Sequence, residues 1–237
     1  KGVVVMNTPF GNSITTAEHA IALMFALARQ LPEADASTQA GKWEKNRFMG
    51  VELTAKTLGL IGAGNIGSIV ADRARGLKMK VVAFDPFLTP ERAIEMGVEK
   101  VTLDELLARA DFITLHTPLT DATRNLIDKN AFAKMKKGVL ILNCARGEIV
   151  HTADIAAALK SGQVGGYGTD VLDEEPPRAD HPLTKLPNCV VTPHIGSRTA
   201  ESVQRQAVAA VTNLIRAMHG EKPLAQINPE VPVKKVV

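Results

Sequence analysis

Cysteine is scarce: Cys144 and Cys189 are the only two in 237 residues. That is too few for a disulfide framework, and both sit in apolar, strand-like runs, so two buried, reduced thiols are expected. Long apolar runs are missing as well. The longest, Ala20 to Ala28, falls far short of the ~20 residues a membrane span needs. Neither sign of charge dominates: 28 basic side chains against 25 acidic leave +3. No basic run exceeds a few residues, which argues against a nucleic-acid surface. Histidines, cysteines and acids never fall at metal-ligand spacings such as H-x-x-x-H or C-x-x-C, so no metal is expected. There is no charged-then-apolar leader, no internal repeat and no low-complexity tract. The expectation is a cytoplasmic globular protein with neither a membrane nor a nucleic acid as partner.

What the sequence does contain is alternation. Apolar runs recur at Leu58–Ile61, Val81–Phe84, Phe112–Leu115, Val139–Leu142 and Val190–Thr192, with a weaker glycine-rich run at Val164–Val171. Between them lie helical patterns at Ile66–Leu77, Leu103–Ala110, Lys129–Met135 and Ala153–Lys160. Strands that are apolar on both faces need helices on both sides, which predicts an α/β fold with a doubly wound parallel sheet. Ahead of this alternation, Asn12–Gln30 reads as a helix, with Thr15 and Glu18 spaced as a capping box. A final helix, Thr199–His219, carries Val203, Ala207, Val211, Leu214 and Met218 on one stripe. The tail from Gly220 has three prolines and no periodicity, and reads as a linker leaving the domain. Lys1 is followed at once by a strand-like run, as in a piece of a longer protein.

Chemistry gathers at the ends of the strands. Gly62-Ala63-Gly64-Asn65-Ile66-Gly67 is a G-x-G-x-x-G element that follows a predicted strand and opens a predicted helix, the context a dinucleotide's pyrophosphate requires. Asp85 ends the next strand. A carboxylate there can accept hydrogen bonds from ribose hydroxyls and would repel a 2′-phosphate, favouring NAD over NADP. His116-Thr117-Pro118, Asn143 to Gly147, Thr169-Asp170 and Thr192 to Gly196 close four further strands, where open α/β sheets bind ligands. Oxidation of a 2-hydroxy acid by hydride transfer needs a base for the hydroxyl proton, a carboxylate to hold that base, and a cation for the substrate carboxylate. His194 and Arg146 suit the first and last roles. Spacing alone leaves Asp173, Glu174 and Glu175 open for the second.

Taken in order, these segments resemble the D-2-hydroxyacid dehydrogenase family over essentially the whole chain. The resemblance rests on the glycine loop, His116-Thr117-Pro118-Leu119, Asn143-Cys144-Ala145-Arg146-Gly147, Asp170-Val171 through Glu175-Pro176-Pro177, and Pro193-His194-Ile195-Gly196. It implies a catalytic trio of Arg146, Glu175 and His194. It also implies NAD as cofactor, with Gly62, Gly64, Asn65, Ile66 and Gly67 at the pyrophosphate and Asp85 at the adenosine ribose. His116, Thr117, Pro118, Cys144, Ala145, Arg146, Asp170, His194, Gly196 and Ser197 complete the cofactor set. Residues 10–197 would form a Rossmann-type NAD-binding domain. Residues 1–9 and 198–237 would be remnants of a substrate domain that is largely absent. Stretches such as Gly41-Lys42-Trp43-Glu44 look most like the branch of the family that oxidises a phosphorylated 2-hydroxy acid, phosphoglycerate. The family pairs its NAD domains, and Ala20, Leu23, Met24 and Leu27 offer a face for a homodimer. The same fold also serves dehydrogenases of glycerate or glyoxylate, and an NAD-sensing transcriptional corepressor.

Overall fold

The computed structural model describes residues 2–235; Lys1, Val236 and Val237, assigned above to the terminal segments, lie outside the described residues. The chain opens with α1 (Ser13–Ala28) and α2 (Leu31–Gln39), then alternates through β1 (Thr57–Ile61), α3 (Asn65–Gly76), β2 (Lys80–Phe84), α4 (Pro90–Met96) and β3 (Glu99–Lys100). It continues through α5 (Leu103–Arg109), β4 (Phe112–Leu115), α6 (Lys129–Lys134), β5 (Val139–Asn143), α7 (Thr152–Ser161), β6 (Val164–Thr169) and β7 (Cys189–Val191), and α8 (Ala200–Met218) follows. Two units result: Thr16–Gly196, and one made of both chain ends, up to Thr15 and from Ser197 onward.

In the larger unit the strands form one parallel sheet in the order β3-β2-β1-β4-β5-β6-β7. The expected doubly wound sheet is therefore present. Leu58, Leu60, Phe112, Ile113, Leu115 and Ile141 are buried, because apolar layers cover both faces of the sheet. Leu106, Leu107, Phe132, Ile155 and Leu159 from α5, α6 and α7 form one layer. Leu23, Met24, Val70, Ala74 and Met96 from α1, α3 and α4 form the other. The strand order reverses between β1 and β4, so the loops leaving these strands part and open a crevice.

Three expectations need correction. Thr15 is no N-cap, since α1 already starts at Ser13; the true capping box is Thr102 with Glu105 at the start of α5. The α1 face proposed for dimerisation is not free either. Ala20, Leu23, Met24 and Leu27 are buried in the chain's own core. A Cβ on Gly166 or Gly168 would lie 3.2 Å from Leu27 methyls, so these two glycines of β6 let α1 lie close on the sheet.

The tail is not a departing linker. Within the terminal unit, Met6 and Gln226 form an antiparallel bridge, with Asn7 N–H donating to the Ala225 carbonyl and Ile227 N–H to that of Val5. Asn213, buried on α8, donates to the Asn7 carbonyl and accepts from Leu224 N–H. Paired backbone therefore ties the returning tail to the first residues, a long-range pairing that leaves no periodic signal. The apolar stripe of α8 stays largely exposed at Val203, Val211 and Leu214.

Candidate active site

The crevice at the strand reversal is built from glycine. Gly62 adopts φ +96°, and a Cβ there would meet the His116 carbonyl at 2.6 Å. Gly67 packs so closely that its Cβ would stand 2.1 Å from the Gly62 oxygen. Gly64 differs: among the described residues nothing lies within 4 Å of its would-be Cβ, and it caps α3 without any side-chain bond. The first-turn N–H groups of Asn65, Ile66 and Gly67 are thus left to an anion on an open backbone surface, as a pyrophosphate requires. Asp85 is held at the mouth of the loop, its two oxygens accepting from Ala63 N–H and Phe87 N–H, both at 2.8 Å.

His116 borders the loop, its N–H donating to the Ile61 carbonyl. Its Nε2 lies 2.8 Å from Thr114 Oγ1, while Nδ1 is shut off from solvent with no partner among the described residues. Burial pushes this imidazole down from 6.5 to about 4, so it is neutral at physiological pH and carries no charge to the loop. Thr117 and Pro118 follow at the rim, where the Pro118 carbonyl accepts from Thr123 Oγ1.

At the end of β5, buried Asn143 shapes the Arg146 loop. Its Nδ2 donates to the Arg146 carbonyl (2.9 Å) and to the Tyr167 hydroxyl (3.2 Å), while Oδ1 accepts from Ala145 N–H. The Arg146 side chain is exposed and, among the described residues, bonds only the Ala145 carbonyl, leaving its outer face for a ligand carboxylate. Burial, aided by the Asp170 charge, pushes the Cys144 thiol up to about 12, which makes it packing and no nucleophile. Gly147 closes the motif that carries Arg146, and the structure gives it a packing role of its own. A Cβ on it would fall 2.0 Å from the Leu172 carbonyl carbon, so only glycine lets the Arg146 loop press against the turn that carries the acids.

Each acid of that turn has its own partner. Asp173 meets His181 at 2.9 Å, Glu174 meets Arg178 at 3.1 Å, and Glu175 Oε2 lies 2.6 Å from His194 Nδ1. Glu175 Oε1 also accepts from Leu172 N–H. His194 sits at φ +54°, a left-handed conformation that the surroundings must impose. Asp170, 3 % exposed, does so. It accepts from Thr192 Oγ1 (2.6 Å), Ile195 N–H (2.9 Å) and Gly196 N–H (2.6 Å), with His19 Nε2 3.4 Å away. Burial alone would raise the Asp170 pKa, but His19, Thr192 and the two amides together hold it below the usual carboxylate range. His19 is a further support absent from the sequence reading; its contact with Thr192 spans most of the chain and has no local signal. An open groove of about 620 Å³ runs beside Glu175 and His194, walled by Leu172, Pro176, Val191 and Pro193. Ser197 falls at the start of the terminal unit.

Residues 21–196 match the family described as D-isomer specific 2-hydroxyacid dehydrogenase, NAD binding domain. The chain belongs to this family. Its glycine loop, helix start and Asp85 suit the NAD for which that domain is named. A D-3-phosphoglycerate dehydrogenase from Archaeoglobus fulgidus is 48 % identical over 220 residues, 93 % of this chain and 42 % of that protein. The chain thus spans less than half the length of this relative. Among solved structures, a glyoxylate reductase from Paecilomyes thermophila superposes with TM-score 0.88 at 35 % identity, covering 96 % of this chain and 69 % of that one. A D-lactate dehydrogenase with NAD+ from Lactobacillus jensenii gives TM-score 0.86 at 33 % identity, covering 95 % and 72 %. Among the described residues no helix is long and apolar enough to cross a membrane.

Proposed function

We propose that this chain is the NAD-binding part of a D-3-phosphoglycerate dehydrogenase, which oxidises the 2-hydroxyl of 3-phosphoglycerate to give 3-phosphohydroxypyruvate. The observation that carries the chemistry is the 2.6 Å contact between His194 Nδ1 and Glu175. With its proton on Nδ1 and engaged by the carboxylate, the imidazole presents Nε2 as the acceptor for the substrate hydroxyl proton. Glu175 then stabilises the imidazolium that forms, and Arg146 grips the substrate carboxylate. NAD, bound along Gly62–Gly67 with its ribose at Asp85, would supply the hydride acceptor. The choice of phosphoglycerate is supported by the 48 % identity to the Archaeoglobus fulgidus enzyme, against 35 % for the glyoxylate reductase. That neighbour supports a second reading, an unphosphorylated 2-hydroxy acid handled by the same trio.

Turnover by the whole parent protein on phosphorylated and unphosphorylated acids, followed through NADH absorbance, decides between the two. His194→Ala in that protein is expected to lower kcat by about 10²- to 10⁴-fold; a smaller loss would remove His194 as the base. The 237-residue chain alone is expected to bind NAD but turn over poorly, since it covers only part of its relatives. The groups that complete substrate positioning would be missing, and near-attack geometry can account for ~7–11 kcal/mol of barrier reduction. A rate matching the whole protein would overturn this view.

Cofactor choice has its own test. With Asp85 pinned by two amides, NAD should bind at least about tenfold more tightly than NADP, ~1.4 kcal/mol. Asp85→Ala should narrow that gap; equal affinities in the unaltered chain, by calorimetric titration, would refute the ribose assignment. A homodimer through the NAD domain is also proposed, on surfaces other than the buried face of α1. Trp43 and Met49 are 87 % and 83 % exposed on the arm after α2 and suit such a contact. A monomer by light scattering at micromolar concentration would count against it.

A further inference from the structure

The turn that carries Glu175 has little of its own to hold it in place. Residues 173–180 are all exposed, and two prolines follow Glu175. At the end of this exposed stretch stands His181, whose side chain is 3 % exposed. Its Nε2 lies 2.9 Å from Asp173 Oδ1, and its Nδ1 accepts from Leu183 N–H at 3.4 Å. Because Nδ1 is an acceptor, the imidazole proton is on Nε2 and is donated to Asp173. The histidine backbone is fixed as well. Its N–H donates to the Arg178 carbonyl, and its own carbonyl accepts from the Thr184 hydroxyl at 2.9 Å.

Asp173 is therefore tied to a rigid post, two residues ahead of Glu175. Burial would raise the Asp173 pKa, but hydrogen bonds from His181 and Thr152 outweigh it and keep the carboxylate ionised, as the contact requires. On the other side, the Leu172 carbonyl is pressed by Gly147, and Leu172 N–H donates to Glu175 Oε1. The turn is clamped at both of its ends, and Glu175 is presented to His194 between the clamps. We propose that His181 is a positioning residue for the Glu175–His194 pair, acting through Asp173 to close the exposed loop of residues 173–181. This rests on the reading of that pair as the acid–base couple. His181 is buried and is not among the residues that line the groove beside Glu175 and His194. Its effect is to keep the Glu175 carboxylate on Nδ1 of His194, and so to keep Nε2 of His194 free of its proton.

The test reads the tautomer of His194 directly. Long-range ¹H–¹⁵N NMR of the imidazoles, recorded where they are neutral, reports which ring nitrogen carries the proton. In the unaltered chain His194 is expected as the Nδ1–H form, with Glu175→Gln serving to assign the signal. His181→Leu removes the donor to Asp173, and Asp173→Ala removes the acceptor. Either is expected to shift His194 toward the Nε2–H form that an unsupported imidazole prefers, while NAD affinity by calorimetry stays unchanged. His181→Gln, which keeps an amide donor, is expected to retain the Nδ1–H form. Should His181→Leu fail to fold, the exposed Asp173 carries the test alone. An unaltered Nδ1–H signature in Asp173→Ala would overturn the proposal. In the whole enzyme the folded variants are expected to lose about tenfold in kcat with KM unchanged, and a change confined to KM would also overturn it. Since the tautomer reading uses no substrate, a whole enzyme inert toward every 2-hydroxy acid would sink the functional reading and leave the coupling standing.

Discussion

Replacing Gly67 with alanine is expected to lower stability by about 3 kcal/mol and to abolish detectable NAD binding. The added methyl would stand 2.1 Å from the Gly62 carbonyl oxygen. Neither atom can yield alone, because one belongs to the first turn of α3 and the other to the loop leaving β1. The helix start must lift away, and its N–H groups then no longer converge on the pyrophosphate. Gly64→Ala is the counterpart. Its methyl meets no protein atom within 4 Å, so unfolding in urea should change by only ~0.5 kcal/mol. That methyl would instead occupy the surface left for the dinucleotide, and affinity should fall by about tenfold or more. Calorimetric titration with NAD and urea unfolding of both variants separate the two effects. Full affinity in Gly64→Ala would remove that glycine from the pyrophosphate surface.

Acid is expected to destabilise the chain through His116 well before the carboxylates titrate. The folded imidazole titrates at about 4 and the unfolded one near 6.5. Between these values the unfolded chain takes up a proton that the folded chain refuses. The contribution is therefore complete above the unfolded value and declines as pH falls toward the folded one, by up to about 3 kcal/mol. Below that, both states are protonated and His116 adds no further loss. His116→Gln keeps an amide for Thr114 but cannot titrate, so its stability should vary less with pH across this window. Urea midpoints at about pH 7 and about pH 4.5 provide the comparison. An equal slope in both proteins would show that His116 is reached by water and titrates normally.

Much of this molecule was legible because its signals are local. Each of the six recurring apolar runs became a strand, and the glycine loop follows the first of them, since strands buried on both faces of a parallel sheet are continuously apolar. The unforeseen α4 was also legible in hindsight. Thr89 caps it, Pro90 opens it and Gly97 closes it in a left-handed turn. The α1 face was misread for a different reason. A buried helix and a helix that buries itself against another copy carry the same apolar stripe, and only the close fit of Leu27 over Gly166 and Gly168 tells them apart. The returning tail escaped for want of any period, since its order comes from pairing with residues more than two hundred positions away.

By itself the sequence determined the alternating α/β plan, the glycine loop between the first strand and the helix after it, and the kinds of side chain that meet at the strand ends. These follow from side-chain periodicity and from backbone conformations only glycine adopts, both properties of short segments. The tertiary structure alone decided which group touches which. Asp173, Glu174 and Glu175 are chemically near-identical neighbours, yet they face His181, Arg178 and His194. Likewise His194 takes its left-handed backbone because Asp170, just beyond the end of β6, draws in the amides of Ile195 and Gly196. Hydrogen bonds act over about 3 Å, so contacts between distant segments exist only once the sheet has brought those strand ends together.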